Sequence, residues 1–214
     1  MSVSDQHLET LGDIRSMMER SSRFISLSGL SGVFAGVYAL LGSLAAYIYL
    51  DLGLNTKAYY EYAHTEDGAH DLKFYQFFAL TAFLVLSASV LTGYLLTRRN
   101  AIKKGLPTWD RVAKRLLVNL FLPLVAGGFF CLILLQHGQV GLVAPATLIF
   151  YGLALLNASK YTHNDIRYLG VCEIVIGLIS GVFIGYGLLF WALGFGVMHI
   201  VYGTSMYLKY ERNK

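Results

Sequence analysis

Long apolar runs separated by short polar segments are the dominant pattern along this chain. Six runs can be marked off, at residues 23–50, 73–97, 116–135, 140–157, 168–185 and 187–208. Most of them approach the roughly 20 residues that an α-helix needs to cross about 30 Å of hydrocarbon. The pattern therefore predicts an all-α integral membrane protein, in which six transmembrane helices form a compact bundle in one domain over residues 23–210.

The segment before the first run has a different pattern. Leu8, Leu11, Ile14 and Met18 recur at spacings of three and four, with acidic and basic residues between them. Apolar residues at this spacing form one face of a helix. We therefore predict an amphipathic helix over residues 1–22 that lies on the cytoplasmic membrane surface. A helix that docks a soluble partner is the alternative.

The composition agrees with a membrane protein, because 56% of the 214 residues are hydrophobic and only 14% are charged. The mean hydropathy is +0.54. A soluble domain of this length needs more charge to cover its surface. Cys131 and Cys172 lie inside apolar runs. We expect both to be buried as small apolar side chains rather than to form a disulfide or bind a metal.

The distribution of positive charge predicts the orientation of the chain. Of the 17 Lys and Arg residues, only Lys57 and Lys73 lie outside four regions: the N-terminal segment up to the boundary residue Arg23, the loop at residues 98–115, the loop before the fifth run, and the C-terminal end. Basic loops stay in the cytoplasm. The protein is therefore expected in the plasma (inner) membrane, with both termini on the cytoplasmic side. Residues 51–72 would form an outer loop and residues 211–214 a cytoplasmic tail. Because the charges sit in short loops, nucleic acid is not an expected partner.

Small residues at four-residue spacing predict which helices pack closely. Such spacing lets helix backbones approach each other inside a membrane, where apolar side chains gain little from leaving lipid. It occurs in the first, fifth and sixth runs, at Ser28, Gly32 and Gly36, at Gly177, Gly181 and Gly185, and at Ala192, Gly196 and Gly203. These three helices are expected near the centre of the bundle.

Two ionisable side chains, Glu173 and His199, lie within the last two runs. If the turn between these runs centres on Tyr186, both side chains lie at the same height of an antiparallel hairpin. Each also shares a helix face with glycines, which would let the two backbones come close. If the turn centres near Phe190 instead, Glu173 lies level with Tyr207 and becomes an ordinary boundary carboxylate. The sequence leaves both alternatives open.

Glu173 and His199 form the predicted ligand-binding or proton-relay site, with Asn119 and Tyr202 assisting. An ionisable residue on a membrane helix is costly and usually faces a cavity or a partner. A His–Glu pair can relay protons or bind the polar end of a lipid or solute. Two ligands at one level are too few to predict a metal site. No catalytic residue, metal or cofactor is predicted.

The chain contains none of the common catalytic sequence motifs. The leading hypothesis is a small membrane protein that binds or translocates a lipid or a small hydrophobic or protonatable solute. The alternative is a non-catalytic membrane subunit or sensor that docks a cytoplasmic protein through the N-terminal helix and the basic loop. An intramembrane enzyme is a third hypothesis. The expected partners are the lipid bilayer, a lipid or small-molecule ligand, and a cytoplasmic protein, and oligomerisation stays open.

Overall fold

The computed structural model describes residues 24–53, 56–63 and 72–212, and this part of the chain contains helices and no strand. Six long helices correspond one to one to the six apolar runs, so the predicted all-helical fold is confirmed. They and one short helix are α1 (Gly29–Tyr49), α2 (Thr56–Ala63), α3 (Leu72–Lys103), α4 (Arg111–Gln136), α5 (Val143–Ala158), α6 (Asn164–Val182) and α7 (Gly187–Tyr210). Short 3₁₀ turns, Val140–Leu142 and Ser159–Tyr161, flank α5. The amphipathic helix predicted for residues 1–22 lies outside the described residues.

Five of the described helices are long and apolar enough to cross a membrane: α1, α3, α4, α5 with its flanking turns, and α7. This is compatible with a membrane protein. The sixth, α6, has 19 residues, but Asp165, Arg167 and Glu173 all lie within it. Its length suits a membrane span, and its charge sets it apart from the other five.

The long helices pack as two groups of three. In the first half of the bundle, α3 packs against α1 and α1 against α7. In the second half, α4 packs against α5 and α5 against α6. Glycines bring the backbones together within each half, since a Cβ at Gly203 would overlap backbone atoms of α1, and one at Gly170 would overlap those of α5. The halves meet where α7 contacts α5 and α6.

This arrangement differs in one respect from the packing expected from the small residues. The glycines of α6, Gly170 and Gly177, face α5, whereas Gly196 and Gly203 of α7 face α1. These four glycines therefore do not join α6 to α7. The difference arises because a glycine spacing shows that a helix can pack closely but does not specify its partner.

Residues 24–28, which we call the strap, cross one end of the bundle before α1 begins. Side chains of Thr162, Lys104 and Asn100 donate hydrogen bonds of 2.9–3.0 Å to the carbonyl oxygens of Phe24, Ile25 and Ser26. Glu211, just after α7, accepts from the Ser28 hydroxyl at 3.0 Å and from the Gly29 backbone. The strap, the α3–α4 loop, the α5–α6 loop and the end of α7 thus lie at the same end of the bundle.

His163 precedes α6 at this end and makes folding stability depend on pH. It is 8% exposed, and its ring stacks on that of Tyr210 at 4.0 Å. Burial, assisted by the charge of Lys104, lowers the pKa of His163 to about 4. Because the unfolded chain binds the proton more tightly, stability is complete above the ordinary pKa of about 6.5 and falls as the pH drops toward 4.

We therefore predict that the free energy of unfolding is about 2 kcal/mol lower at pH 5 than at pH 7 through the protonation of His163 alone. Replacing His163 by asparagine should flatten the dependence between pH 7 and pH 5 by that amount, whatever the variant's absolute stability. Unfolding in one detergent at both pH values measures it. His137→Asn, at the exposed end of α4, is the matched control. Equal pH slopes for wild type and His163→Asn would contradict the prediction.

Candidate functional site

Three helices contribute side chains from the middle of their length to one polar cluster. Glu173 is the central residue of α6, and His199 and Tyr151 lie close to the centres of α7 and α5. Because each helix rises 1.5 Å per residue, the cluster lies roughly 10–18 Å from either end of these helices. It sits where the two halves of the bundle meet.

The turn between α6 and α7 brings Glu173 level with His199. Helix α6 ends at Val182, Gly185 adopts a left-handed conformation with φ of 104°, and α7 begins at Gly187. Glycine is the residue that adopts this backbone conformation without strain. Of the two alternatives left open by the sequence, the structure has the turn next to Tyr186 and not at Phe190.

The side chains of Glu173 and His199 meet inside the bundle. Nδ1 of His199 lies 3.4 Å from Oε1 of Glu173, and the two residues are 6% and 0% exposed, respectively. Nδ1 also lies 3.1 Å from the carbonyl oxygen of Gly194. A carbonyl oxygen can only accept a hydrogen bond, so Nδ1 carries a proton.

Tyr151 contacts the second ring nitrogen of His199, Nε2. Its hydroxyl lies 2.7 Å from Nε2 of His199. With a neutral imidazole, the hydroxyl donates to Nε2, and with an imidazolium, it accepts. The ring of Phe195 packs 5.0 Å from that of Tyr151, and Trp191 packs 4.9 Å from Phe195. These apolar rings cover the polar cluster on this side.

Neither carboxylate oxygen of Glu173 has a hydrogen-bond partner, although both are buried. Gly194 makes room for them, because a Cβ at this position would overlap Oε2 of Glu173 and the side chain of Leu148. Gly194 belongs to a π-helical segment, Ala192–Met198, inside α7. Such segments occur frequently at functional sites within α-helices.

Glu173 and His199 together form a neutral unit when they share one proton. The unit is a carboxylate with an imidazolium, or a carboxylic acid with an imidazole. A buried carboxylate without a positive partner costs several kcal/mol. Each member of the pair therefore lowers the cost of burying the other.

The other two predicted site residues contact different groups. The side-chain amide of Asn119 donates at 2.8 Å to the carbonyl of Arg115 in its own helix. The hydroxyl of Tyr202 lies 3.5 Å from the sulfur of Cys172. Helix α4 packs against α5, which keeps Asn119 away from α6, and Tyr202 is rotated about 60° around α7 from His199. The structure thus brings Glu173 and His199 together without Asn119 and Tyr202.

Sequence reasoning missed Tyr151 and Gly194. Tyr151 had a usable signal, because it lies well inside the fourth run, away from the interfacial positions that tyrosine favours. Gly194 had none, since the chain has 22 glycines and most serve packing. Its role at the carboxylate follows only from the way α7 faces α6.

The parts of the chain that the structure describes hold no group of three His, Cys, Asp or Glu side chains placed to bind a metal ion. No protein-family model, curated protein or solved structure matches this chain.

Proposed function

We propose that this chain is a small polytopic protein of the plasma (inner) membrane that binds or translocates a lipid or a small hydrophobic or protonatable solute. Its polar site is the pair of Glu173 and His199, completed by the hydroxyl of Tyr151. The single observation that carries the proposal is that both oxygens of Glu173 are fully buried without a hydrogen-bond partner.

A buried polar group without a partner is uncommon in proteins and costs about 1–3 kcal/mol. A purely structural carboxylate would be expected to bond to a neighbouring helix or to be replaced by an apolar residue. Room is kept for this one by Gly194, in an irregular segment of α7. These features support a role in which the oxygens meet the polar group of a ligand that comes and goes.

The position of the site at the boundary between the two halves of the bundle supports a route of entry. Within each half, glycines join the backbones closely, whereas side chains join the halves at Glu173, His199 and Tyr151. Because Glu173 is 0% exposed, a solute would reach it when the halves separate. Rigid halves that move around a central site are a common transport design.

The location of the basic residues supports a membrane orientation with both termini in the cytoplasm. The strap, the basic α3–α4 loop, the α5–α6 loop and the end of α7 are joined by hydrogen bonds at one end of the bundle. Six crossings with positive charge gathered at one end follow the positive-inside rule. The lipid bilayer would then surround the exposed apolar faces of α3 and α4.

A non-catalytic subunit or sensor is the second candidate function. It is favoured by the closure of the site, since the groups around Glu173 all belong to neighbouring helices. The basic loop would supply the docking surface for a cytoplasmic protein. Trp109 is 61% exposed, and the exposed charged side chains of residues 98–115 include Arg98, Arg99, Lys103, Arg111, Lys114 and Arg115.

Native mass spectrometry of the detergent-purified protein tests the binding proposal. We expect a co-purifying lipid or solute in the wild type, and at least about a tenfold lower ligand content in Glu173→Gln, which loses a charge-assisted contact of roughly 1.5–3 kcal/mol. Glu61→Gln, on the exposed face of α2, should keep the ligand. A folded Glu173→Gln protein with unchanged ligand content would contradict the proposal, and wild type without any ligand would favour the subunit function.

A further inference from the structure

The buried side-chain polar atoms that lack a hydrogen-bond partner in the described residues all lie along one helix. They are Nε2 of His163, both oxygens of Glu173 and Oγ of Ser180. His163 is the residue immediately before α6, Glu173 is at its centre, and Ser180 is two residues from its end. Buried groups of this kind are costly. Because all of these groups lie along α6, we expect them to share one function.

The three residues mark successive levels from one end of the bundle to the other. Ser180 follows Glu173 by two helical turns, which places it on the same face about 10 Å away. His163 lies about 15 Å from Glu173 in the opposite direction along the axis. The series therefore spans about 25 Å, close to the thickness of the hydrocarbon core. A single small solute could not contact all three.

The side chains of the series share one chemical property. An imidazole, a carboxyl and a hydroxyl can each accept a proton at one atom and release one. His163 is 8% exposed, and Glu173 and Ser180 are 0% exposed, so protons and single water molecules are the species that can reach them without large movements. The same three groups would be a poor path for a lipid or a bulky solute.

We propose that α6 carries protons between the ends of the bundle and the Glu173–His199 pair, so that the ligand exchanged at this site is a proton. The inference rests on the proposed function, because it names the ion that the proposed site handles. His163 would serve the end at the strap and Ser180 the opposite end. The solute-binding step would then be coupled to protonation of the pair.

After each proton transfer, the side chain that carried the proton returns to its original protonation state. Nε2 of His163 takes a proton and passes it on, which returns the ring to its neutral form. Lys104, Asp165 and Lys209 are the charged groups that act on this ring. Glu173 receives the proton beside His199 and Tyr151. The Ser180 hydroxyl accepts one proton and releases its own. The levels are further apart than one hydrogen bond, so bridging water molecules carry the proton between them.

Infrared difference spectroscopy after a pH jump on the detergent-purified full chain tests the path. The carboxyl band that disappears in Glu173→Gln reports protonation of Glu173. We expect Glu173 to be protonated at least about tenfold more slowly in the double variant His163→Asn/Ser180→Ala. The reason is that each substitution removes one hydrogen bond to a bridging water molecule, worth about 1 kcal/mol, from the path. The two single variants should show intermediate rates. Ser43→Ala should match the wild type, because the buried Ser43 hydroxyl already bonds the Ala39 carbonyl at 2.9 Å.

Two results would overturn the path: a wild-type rate in the double variant, or the absence of any Glu173 carboxyl band across the pH range. Ser180→Ala removes a hydroxyl without a partner, so loss of folding is not expected to obscure the rate. The outcome is separate from that of the proposed function. A Glu173 band with unchanged kinetics would remove the path along α6 and leave ligand binding at the pair untouched.

Discussion

Replacing His199 by leucine is expected to lower the free energy of unfolding by about 3 kcal/mol, since removal of one partner of a buried pair leaves the other uncompensated. The remaining partner is Glu173, which is 0% exposed and whose oxygens accept no hydrogen bond. In the variant, the carboxyl must either stay charged in an apolar surrounding or take up a proton, and both cost free energy. Chemical or thermal unfolding in a fixed detergent at pH 7 measures the loss.

A double-mutant cycle separates this effect from a simple packing change. The double variant Glu173→Leu/His199→Leu should recover most of the stability, because two apolar side chains of similar size replace the whole pair. His137→Leu is the matched control, as His137 caps α4 on the exposed surface, and its effect should stay within about 0.5 kcal/mol. If the loss of stability in the double variant equals the sum of the losses in the two single variants, the two side chains do not interact. The proposed contact between Glu173 and His199 would then be contradicted.

Alanine at Gly203 is expected to destabilise the protein by about 3 kcal/mol, at the upper end of the cost of overpacking a core. A Cβ at Gly203 would lie 2.6 Å from the amide nitrogen of Val33 and 2.8 Å from the carbonyl oxygen of Gly29. Both are backbone atoms, which cannot rotate away as a side-chain end can. The first half of the bundle would have to open between α1 and α7.

Gly128→Ala is the control for this variant. A Cβ at Gly128, in α4, meets no atom within 4 Å, so alanine should leave stability unchanged or raise it by about 0.5–1 kcal/mol, through its better helix propensity. Unfolding midpoints in the same detergent compare the two variants. Similar midpoints for Gly203→Ala and Gly128→Ala would contradict the close approach of α1 and α7.

The two predictions concern different parts of the fold. The glycine contact joins helices within the first half, and the pair of Glu173 and His199 joins the halves. If both results are as expected, the halves hold together through a polar contact that a proton or a solute can weaken, while each half stays rigid. This is the physical requirement for a ligand to enter a site that is closed in the structure.

Some features of the site were open to prediction and others were not. The equal height of Glu173 and His199 was one of two alternatives that the sequence left open, and the structure has it because the turn lies at Gly185–Tyr186. The reason given for their approach was wrong, because the neighbouring glycines face α5 and α1. The contact of Tyr151 with His199 depends on the rotation of α5 against α7. Residues so far apart in the chain carry no local signal of such a contact.

The sequence by itself determined the number and the helical state of the long elements. A run of about 20 apolar residues must satisfy its own backbone hydrogen bonds inside a membrane, and a helix does so without help from the rest of the chain. Only the tertiary structure decided which helices pair and which face each presents. Those choices depend on close backbone contacts such as that of Gly203 with α1. They also decided that Glu173 would meet His199 rather than solvent or lipid.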